Sequence, residues 1–200
     1  MALLPAGCAP AAQAPEGVTR LFNGRDLAGW KVLSEDFFDR AGKVHVKDGR
    51  LHLEAGRDQT GIAWQGDFPQ DEYEVCLEAM RVEGGDFFCG MTFPVGGSRA
   101  TLIVGGWGGS VVGISNVDDF AADENETTKT MEFEQNRWYG IRLRIADGKV
   151  QAWIDEEKVI DLATAGRRFN VWMQQDSVKP FGVATWCTGA AIRDFTLRRF

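Results

Sequence analysis

Glu78 and Asp86 are the two carboxylates of this 200-residue chain whose places best suit acid–base chemistry. Residues 72–82 and 87–95 alternate apolar and polar side chains and are joined by Glu83-Gly84-Gly85-Asp86, a pattern that predicts a hairpin. In such a hairpin Tyr73, Val75, Leu77 and Ala79 face the core together with Phe87, Cys89, Met91 and Phe93. Glu78, Asp86 and Thr92 then share the opposite face. Two carboxyl groups cleave a glycosidic bond when they stand about 5–5.5 Å apart for retention, or about 6.5–9.5 Å apart for inversion. Two solvated strand carboxylates would leave the same pattern. The Glu-x-Asp-x-x-Glu spacing of many sandwich glucanases is absent, which argues against ordinary two-carboxylate glucanase chemistry.

Aromatic residues offer a second kind of chemistry. Trp107 stands in Gly105-Gly106-Trp107-Gly108-Gly109, where four glycines clear the space around one indole. A sugar ring stacks on such an indole through its C–H face, with Asp86, Thr92 or Asn116 placed to bond its hydroxyls and Trp186 as a further platform. The alternative is a tryptophan packed over a glycine-rich bend as part of the core. Trp30, Trp64 and Trp138 read as packing residues, and Trp153 as a stacking partner of Arg142.

Metal and thiol chemistry are less well provided for. His45 and His52 fall opposite each other in a predicted hairpin, but two ligands without a third make an incomplete zinc site. Asp118, Asp119, Asp123, Glu124 and Glu126 could hold a hard divalent cation, yet they match no EF-hand spacing and also suit a solvated acidic loop. No metal site or cofactor is therefore assigned. Cys8, Cys76, Cys89 and Cys187 give no disulfide framework, since alternation puts Cys76 and Cys89 on opposite faces.

The elements that must position these residues are strands. Asp48-Gly49 predicts a two-residue turn, so Val46 pairs with Leu51, His45 with His52 and Val44 with Leu53. Asp147-Gly148 likewise pairs Ile145 with Val150, Leu143 with Ala152 and Ile141 with Ile154, leaving Arg142 opposite Trp153. Further strands are expected at 100–104, 110–115, 128–133, 158–161, 181–187 and 191–199. So many short strands imply an all-β sandwich of two sheets, because one open sheet would leave a large apolar face wet.

Composition sets the outer limits. With 44% hydrophobic residues, 24 glycines and 6 prolines, the chain suits one β domain over 18–200. A formal charge of −7 makes nucleic acid an improbable partner. No stretch is apolar for long enough to form a transmembrane segment. Residues 1–17 are Ala- and Pro-rich and nearly uncharged, and they are expected to be disordered. Leu4-Pro5-Ala6-Gly7-Cys8 looks like the end of a lipoprotein signal, with Cys8 as lipid anchor, although the basic start and apolar stretch of a signal are missing. Either this is the remnant of a signal or it is an ordinary tail.

The run LFNGRDLAGW, Leu21 to Trp30, resembles the opening of the 3-keto-disaccharide hydrolase domain family. WKVLSEDFFDRAGKVHVKDGRLHLEAG, YEVCLEAMRVEGGDFFCGMTF, NRWYGIRLRIADGKVQAWIDEEKVID and KPFGVATWCTGAAIRDFTLRR are similar to its later strands. The resemblance implies a concanavalin A-like jelly-roll sandwich in a periplasmic or extracellular protein that acts on 3-keto glycosides. The keto group would acidify the C2 proton, permitting elimination across C1–C2 and then hydration, given a base near C2 and an electrophile near the carbonyl. The family pattern Tyr-Glu-x-Gln-x-x-Asp has no counterpart in TLIVGGWGGSVVGISNVDD, which contains neither Glu nor Gln. Three readings follow: a carbohydrate-active hydrolase, a non-catalytic glycan-binding module, and a structural or adhesive surface domain.

Overall fold

The computed structural model describes residues 17–33, 38 and 40–200. The predicted tail and Cys8 lie outside the described residues, apart from Gly17. The strands are β1 (Val18–Arg20), β2 (Trp30–Leu33), β3 (Val44–Lys47), β4 (Arg50–Leu53), β5 (Gln59–Trp64), β6 (Tyr73–Glu83), β7 (Cys89–Val95) and β8 (Ser98–Gly106). They continue as β9 (Val111–Ser115), β10 (Lys129–Thr130), β11 (Trp138–Ala146), β12 (Lys149–Ile154), β13 (Glu157–Ala163), β14 (Gly182–Trp186) and β15 (Gly189–Arg199), with a short 3₁₀ turn at Met173–Val178.

These strands form two antiparallel sheets. The first has the order β13-β12-β11-β6-β15-β4-β3, with β1 also on β15, and the second has the order β10-β9-β8-β7-β14-β5-β2. Their inner faces enclose one core, in which Tyr73, Leu77, Phe88, Met91, Phe93, Phe181 and Phe195 are fully buried. Phe68 stacks on Phe181 at 4.0 Å, and Trp30 lies 5.1 Å from Phe195. Tyr73 carries a polar group into this interior, and its hydroxyl donates to the Pro94 carbonyl of the opposite sheet at 2.6 Å. The architecture is a two-sheet jelly-roll sandwich.

Local turn chemistry explains much of it. Both Asp-Gly hairpins have the predicted register, because Asp48, Gly49, Asp147 and Gly148 all adopt the positive φ that a tight hairpin turn demands. In the LFNGRDLAGW run, the Asn23 Oδ1 accepts from the backbone N–H groups of Arg25 and Asp26 at 2.7 and 3.0 Å. The Trp30 indole donates to the Leu21 carbonyl at 2.8 Å while both residues are buried. The run is thus a turn clamped from within by its aromatic anchors.

One predicted pairing is wrong. The stretches around residues 72–82 and 87–95 do not form a hairpin: β6 pairs with β11 and β15, whereas β7 pairs with β8 and β14 in the other sheet. The two strands face each other across the core, an arrangement that satisfies the same apolar alternation. Where the chain crosses between sheets the parity also slips: Phe88 enters the core, and Phe87 packs on the outer side of the second sheet with Ile103 and Trp186.

Candidate functional site

A cavity of about 220 Å³ opens on the outer face of the second sheet. Its floor comes from side chains pointing away from the core: Gln59 on β5, Thr101 and Ile103 on β8, Ser115 on β9 and Trp186 on β14. Asp86 and Phe87 reach it from the β6–β7 crossing, Trp107 from the β8–β9 turn, and Trp172 and Gln175 from the segment around the 3₁₀ turn. Small residues elsewhere on this face let the 3₁₀ turn lie close; at Gly182 an added Cβ would come within 2.7 Å of Val178. The rim is built from Trp107 and Trp172, which meet edge to face at 6.2 Å and are 38% and 45% exposed.

The glycines around Trp107 serve a buried cation. Arg81, only 5% exposed, donates to the carbonyls of Gly105 and Gly109 at 3.2 and 2.8 Å and to that of Phe133 at 3.4 Å. Its guanidinium lies over the Phe88 and Phe133 rings at 5.2 and 5.9 Å. Burial lowers the Arg81 pKa, while the charge of Asp86 opposes that shift. At Gly105, with φ of 78°, a Cβ would lie 2.5 Å from the Arg81 Nη2. The loop is therefore glycine-rich because the arginine sits directly beneath it.

Asp86 ties this loop to the crossing. Its Oδ1 accepts from the Phe87 N–H at 2.7 Å, its Oδ2 accepts from the Gly108 N–H at 3.3 Å, and its own N–H donates to the Thr188 hydroxyl at 2.9 Å. The carboxylate is half-buried and fixed, and among the described residues it is the one acidic side chain lining the cavity.

The predicted site residues separate into two groups. Asp86, Trp107 and Trp186 come together on the cavity wall. Thr92 is fully buried behind it, with its hydroxyl 3.0 Å from that of Thr101 and donating to Gln175 Oε1 at 3.4 Å. Asn116 is 8% exposed and donates to Asn170 Oδ1 at 2.7 Å, so it positions the segment leading to Trp172 and does not line the cavity. Glu78 lies on the outer face of the first sheet, across the sandwich from Asp86, in an ion pair with Arg193. That separation follows from the corrected pairing of β6 and β7.

The other candidates resolve differently. His45 and His52 stack at 5.1 Å on the outer face of the first sheet, and His45 faces Glu54 at 3.5 Å. Trp138, expected as a packing residue, is sandwiched there between Arg50 and Arg193 at 5.6 and 4.2 Å. The Arg142 guanidinium lies 3.9 Å from the Trp153 ring centre, as predicted. In the acidic connection, Asp118 and Glu126 pair with Arg167, and Asp119 pairs with Arg168. Backbone and side-chain hydrogen bonds from Arg168 and Arg167 hold the Asp118 carboxyl below its ordinary pKa. Among the described residues no three His, Cys, Asp or Glu side chains converge on a common point. Cys89 and Cys187 are free thiols, and burial pushes that of Cys89 up to about 12.

Gln59, Gln175, Trp172 and Arg81 belong to the site and escaped the sequence reading. Gln59 is 3% exposed, and its Oε1 has no hydrogen-bond partner among the described residues. A buried acceptor left in this state costs about 1–3 kcal/mol. Its position follows from the register, which sets it directly opposite Trp186. Trp172-Met173 was the available sequence signal, a large apolar pair followed by two glutamines and exposed in the fold. With three indoles, two buried carboxamides, two hydroxyls and one carboxylate, the cavity can hold a small ring by stacking and hydrogen bonding.

Solved structures share this fold. The Crh5 transglycosylase in complex with NAG superposes with a TM-score of 0.60 at 12% identity, covering 96% of this chain and 88% of that one. A Bacillus subtilis protein with a galectin-like fold gives 0.59 at 13% identity, covering 86% and 90%. Carbohydrate binding module CBM66 from Bacillus subtilis gives 0.56 at 12% identity, covering 85% and 95%. A comparison with curated protein sequences found no match. The 3-keto-alpha-glucoside-1,2-lyase-like domain model matches residues 17–198, nearly the whole chain, and the protein belongs to that family, the 3-keto-disaccharide hydrolase family that its LFNGRDLAGW run resembles.

Proposed function

We propose that this protein is an exported carbohydrate-handling domain whose cavity holds one sugar unit. The observation that carries this reading is the grouping of Trp107, Trp172 and Trp186 with buried carboxamides around a space of about 220 Å³. That is below the roughly 300–1,000 Å³ of sites for drug-sized ligands, and it suits a ring more than a long chain segment. Indoles stack on the apolar face of a pyranose while amides and hydroxyls bond its edge. The family, and the carbohydrate-binding module among the structural neighbours, support the same class of ligand. For export the support is the family resemblance and the lipoprotein-like Leu4-Pro5-Ala6-Gly7-Cys8.

The test is titration with methyl glycosides and with a methyl 3-keto-glucoside, read by tryptophan fluorescence. Saturable quenching or enhancement is expected, and Trp107→Ala should weaken it at least tenfold while the melting temperature stays within a few degrees. A flat response to every glycoside overturns the reading. Unfolding of W107A would instead place that indole among the structural residues.

Family membership and the position of Asp86 favour a second, catalytic reading. Here the Asp86 carboxylate takes the C2 proton of a bound 3-keto glycoside, and the C2–H electron pair forms the C1–C2 double bond. The C1–O bond breaks with its electrons on the departing oxygen, which gains a proton. Addition of water across that double bond would complete a net hydrolysis. Asp86 is held by two backbone N–H groups, which suits positioning of the base. Released sugar from the 3-keto-glucoside, with and without added divalent cations, and its loss in Asp86→Asn would establish this reading. Binding without turnover leaves the module.

A further inference from the structure

Charge and hydrogen-bonding capacity inside the cavity are unequally distributed. Among the described residues its wall carries one ionic side chain, Asp86, and no lysine or arginine. The nearby Arg81 guanidinium lies behind the glycine loop, committed to the carbonyls of Gly105 and Gly109. Both carboxylate oxygens of Asp86 already accept backbone N–H groups, which hold the negative charge in place at the rim. Around it are Phe87, Trp107, Trp172 and Trp186, low-dielectric surfaces that screen a second charge poorly.

Gln59 makes a complementary demand. It is 3% exposed, lines the cavity, and its Oε1 has no partner among the described residues. It stands directly opposite Trp186 on the neighbouring strand, at the spacing of a cross-strand pair. A ring stacked on that indole therefore brings its polar edge to the Gln59 carboxamide. A site with a buried polar group to satisfy discriminates strongly against a ligand that lacks the matching hydroxyl.

The geometry points to selection by charge: the cavity admits an uncharged sugar unit and turns away acidic sugars, with the Gln59 carboxamide reading one ring hydroxyl and Asp86 supplying the repulsion. This rests on the sugar-binding reading above and adds the class of sugar. A uronic acid would place its carboxylate in the same small, apolar-walled space as Asp86, a like-charge juxtaposition of the kind that separates wrong partners from right ones.

The experiment uses the methyl glycosides of glucose, galactose and mannose and those of glucuronic and galacturonic acid, titrated at neutral pH by tryptophan fluorescence. At least one neutral glycoside should bind at least tenfold more tightly than its uronic counterpart. Asp86→Asn should narrow that ratio to below about threefold. Gln59→Ala should weaken the neutral ligand at least tenfold. One monodeoxy analogue should lose as much against the native protein yet nothing further against Q59A. If Q59A fails to fold, the deoxy series on the native protein carries the same test. Equal or tighter binding of uronic acids, or a deoxy series without any sensitive position, overturns the proposal while leaving sugar binding intact. Failure of both neutral and acidic glycosides to bind overturns the sugar-binding reading itself.

Discussion

Arg81 shows how one side chain can organise a site that it does not enter. Its charged donors satisfy two carbonyls of the glycine loop, and its guanidinium face covers Phe88 and Phe133. Hydrogen bonds from a charged group each contribute about 1.5–3 kcal/mol, and removing the donor leaves the carbonyls without it. Arg81→Met should therefore lower stability by about 3 kcal/mol or more, seen as an earlier midpoint in urea denaturation. The loop carrying Trp107 should lose order as well, so any fluorescence response to glycosides should weaken together with stability. A variant that melts like the native protein would show that the loop holds itself. None of this was legible locally, because Arg81 and the glycine loop are separated by more than twenty residues and only the crossing of β6 into β7 brings them together. The glycines themselves stood out in the sequence, and their reason lies beneath the loop in the arginine.

Elements differ in how far they can be read. The β3–β4 and β11–β12 hairpins were predictable to the residue because an Asp-Gly turn fixes register within a few positions. The β6–β7 link was not, since two alternating strands satisfy the same pattern whether they pair or face each other across a core. The β3–β4 hairpin also carries a pH response. Burial lowers the pKa of His52 below its ordinary 6.5, and the neighbouring His45 adds to the effect. The unfolded chain then binds more protons than the folded one below pH 6.5, so this contribution to stability, full above that value, is lost as the pH falls from it through the lower value of the folded state. Between about pH 7.5 and 5 the melting temperature of the native protein should decline, and that of His52→Gln should decline less. Asp26, Asp118 and Asp161, whose hydrogen bonds hold them below 3.8, act in a separate and more acidic window that the substitution leaves untouched. Parallel pH curves for the two proteins would remove His52 from the account.

At the scale of the whole molecule, the two outer faces have separate characters. The second sheet presents the cavity. The first presents layered cations and aromatics: Arg50 and Arg193 on Trp138, Arg142 on Trp153, and Arg144 and Arg198 on Phe200. What joins the chain into one body is β15. It pairs with β6 along one side and with β4 and β1 along the other, and it sends Ile192, Phe195 and Leu197 into the core. On the side facing β6 the register shifts between Arg193 and Thr196, where Asp194 takes a φ of 52°. Without β15, the β3–β4 hairpin and β1 lose the strand that attaches them, β6 becomes an open edge, and Phe181 and Trp30 lose the Phe195 ring they pack on. Truncation of Phe195 alone to Ala should cost about 3–5 kcal/mol. Removal of residues 189–200 should therefore abolish the cooperative thermal transition and the near-ultraviolet circular dichroism of the packed tryptophans. Removing Phe200 alone, which is half exposed, should leave both in place. A truncated chain that still unfolds in one sharp step would mean that the sandwich holds together without β15.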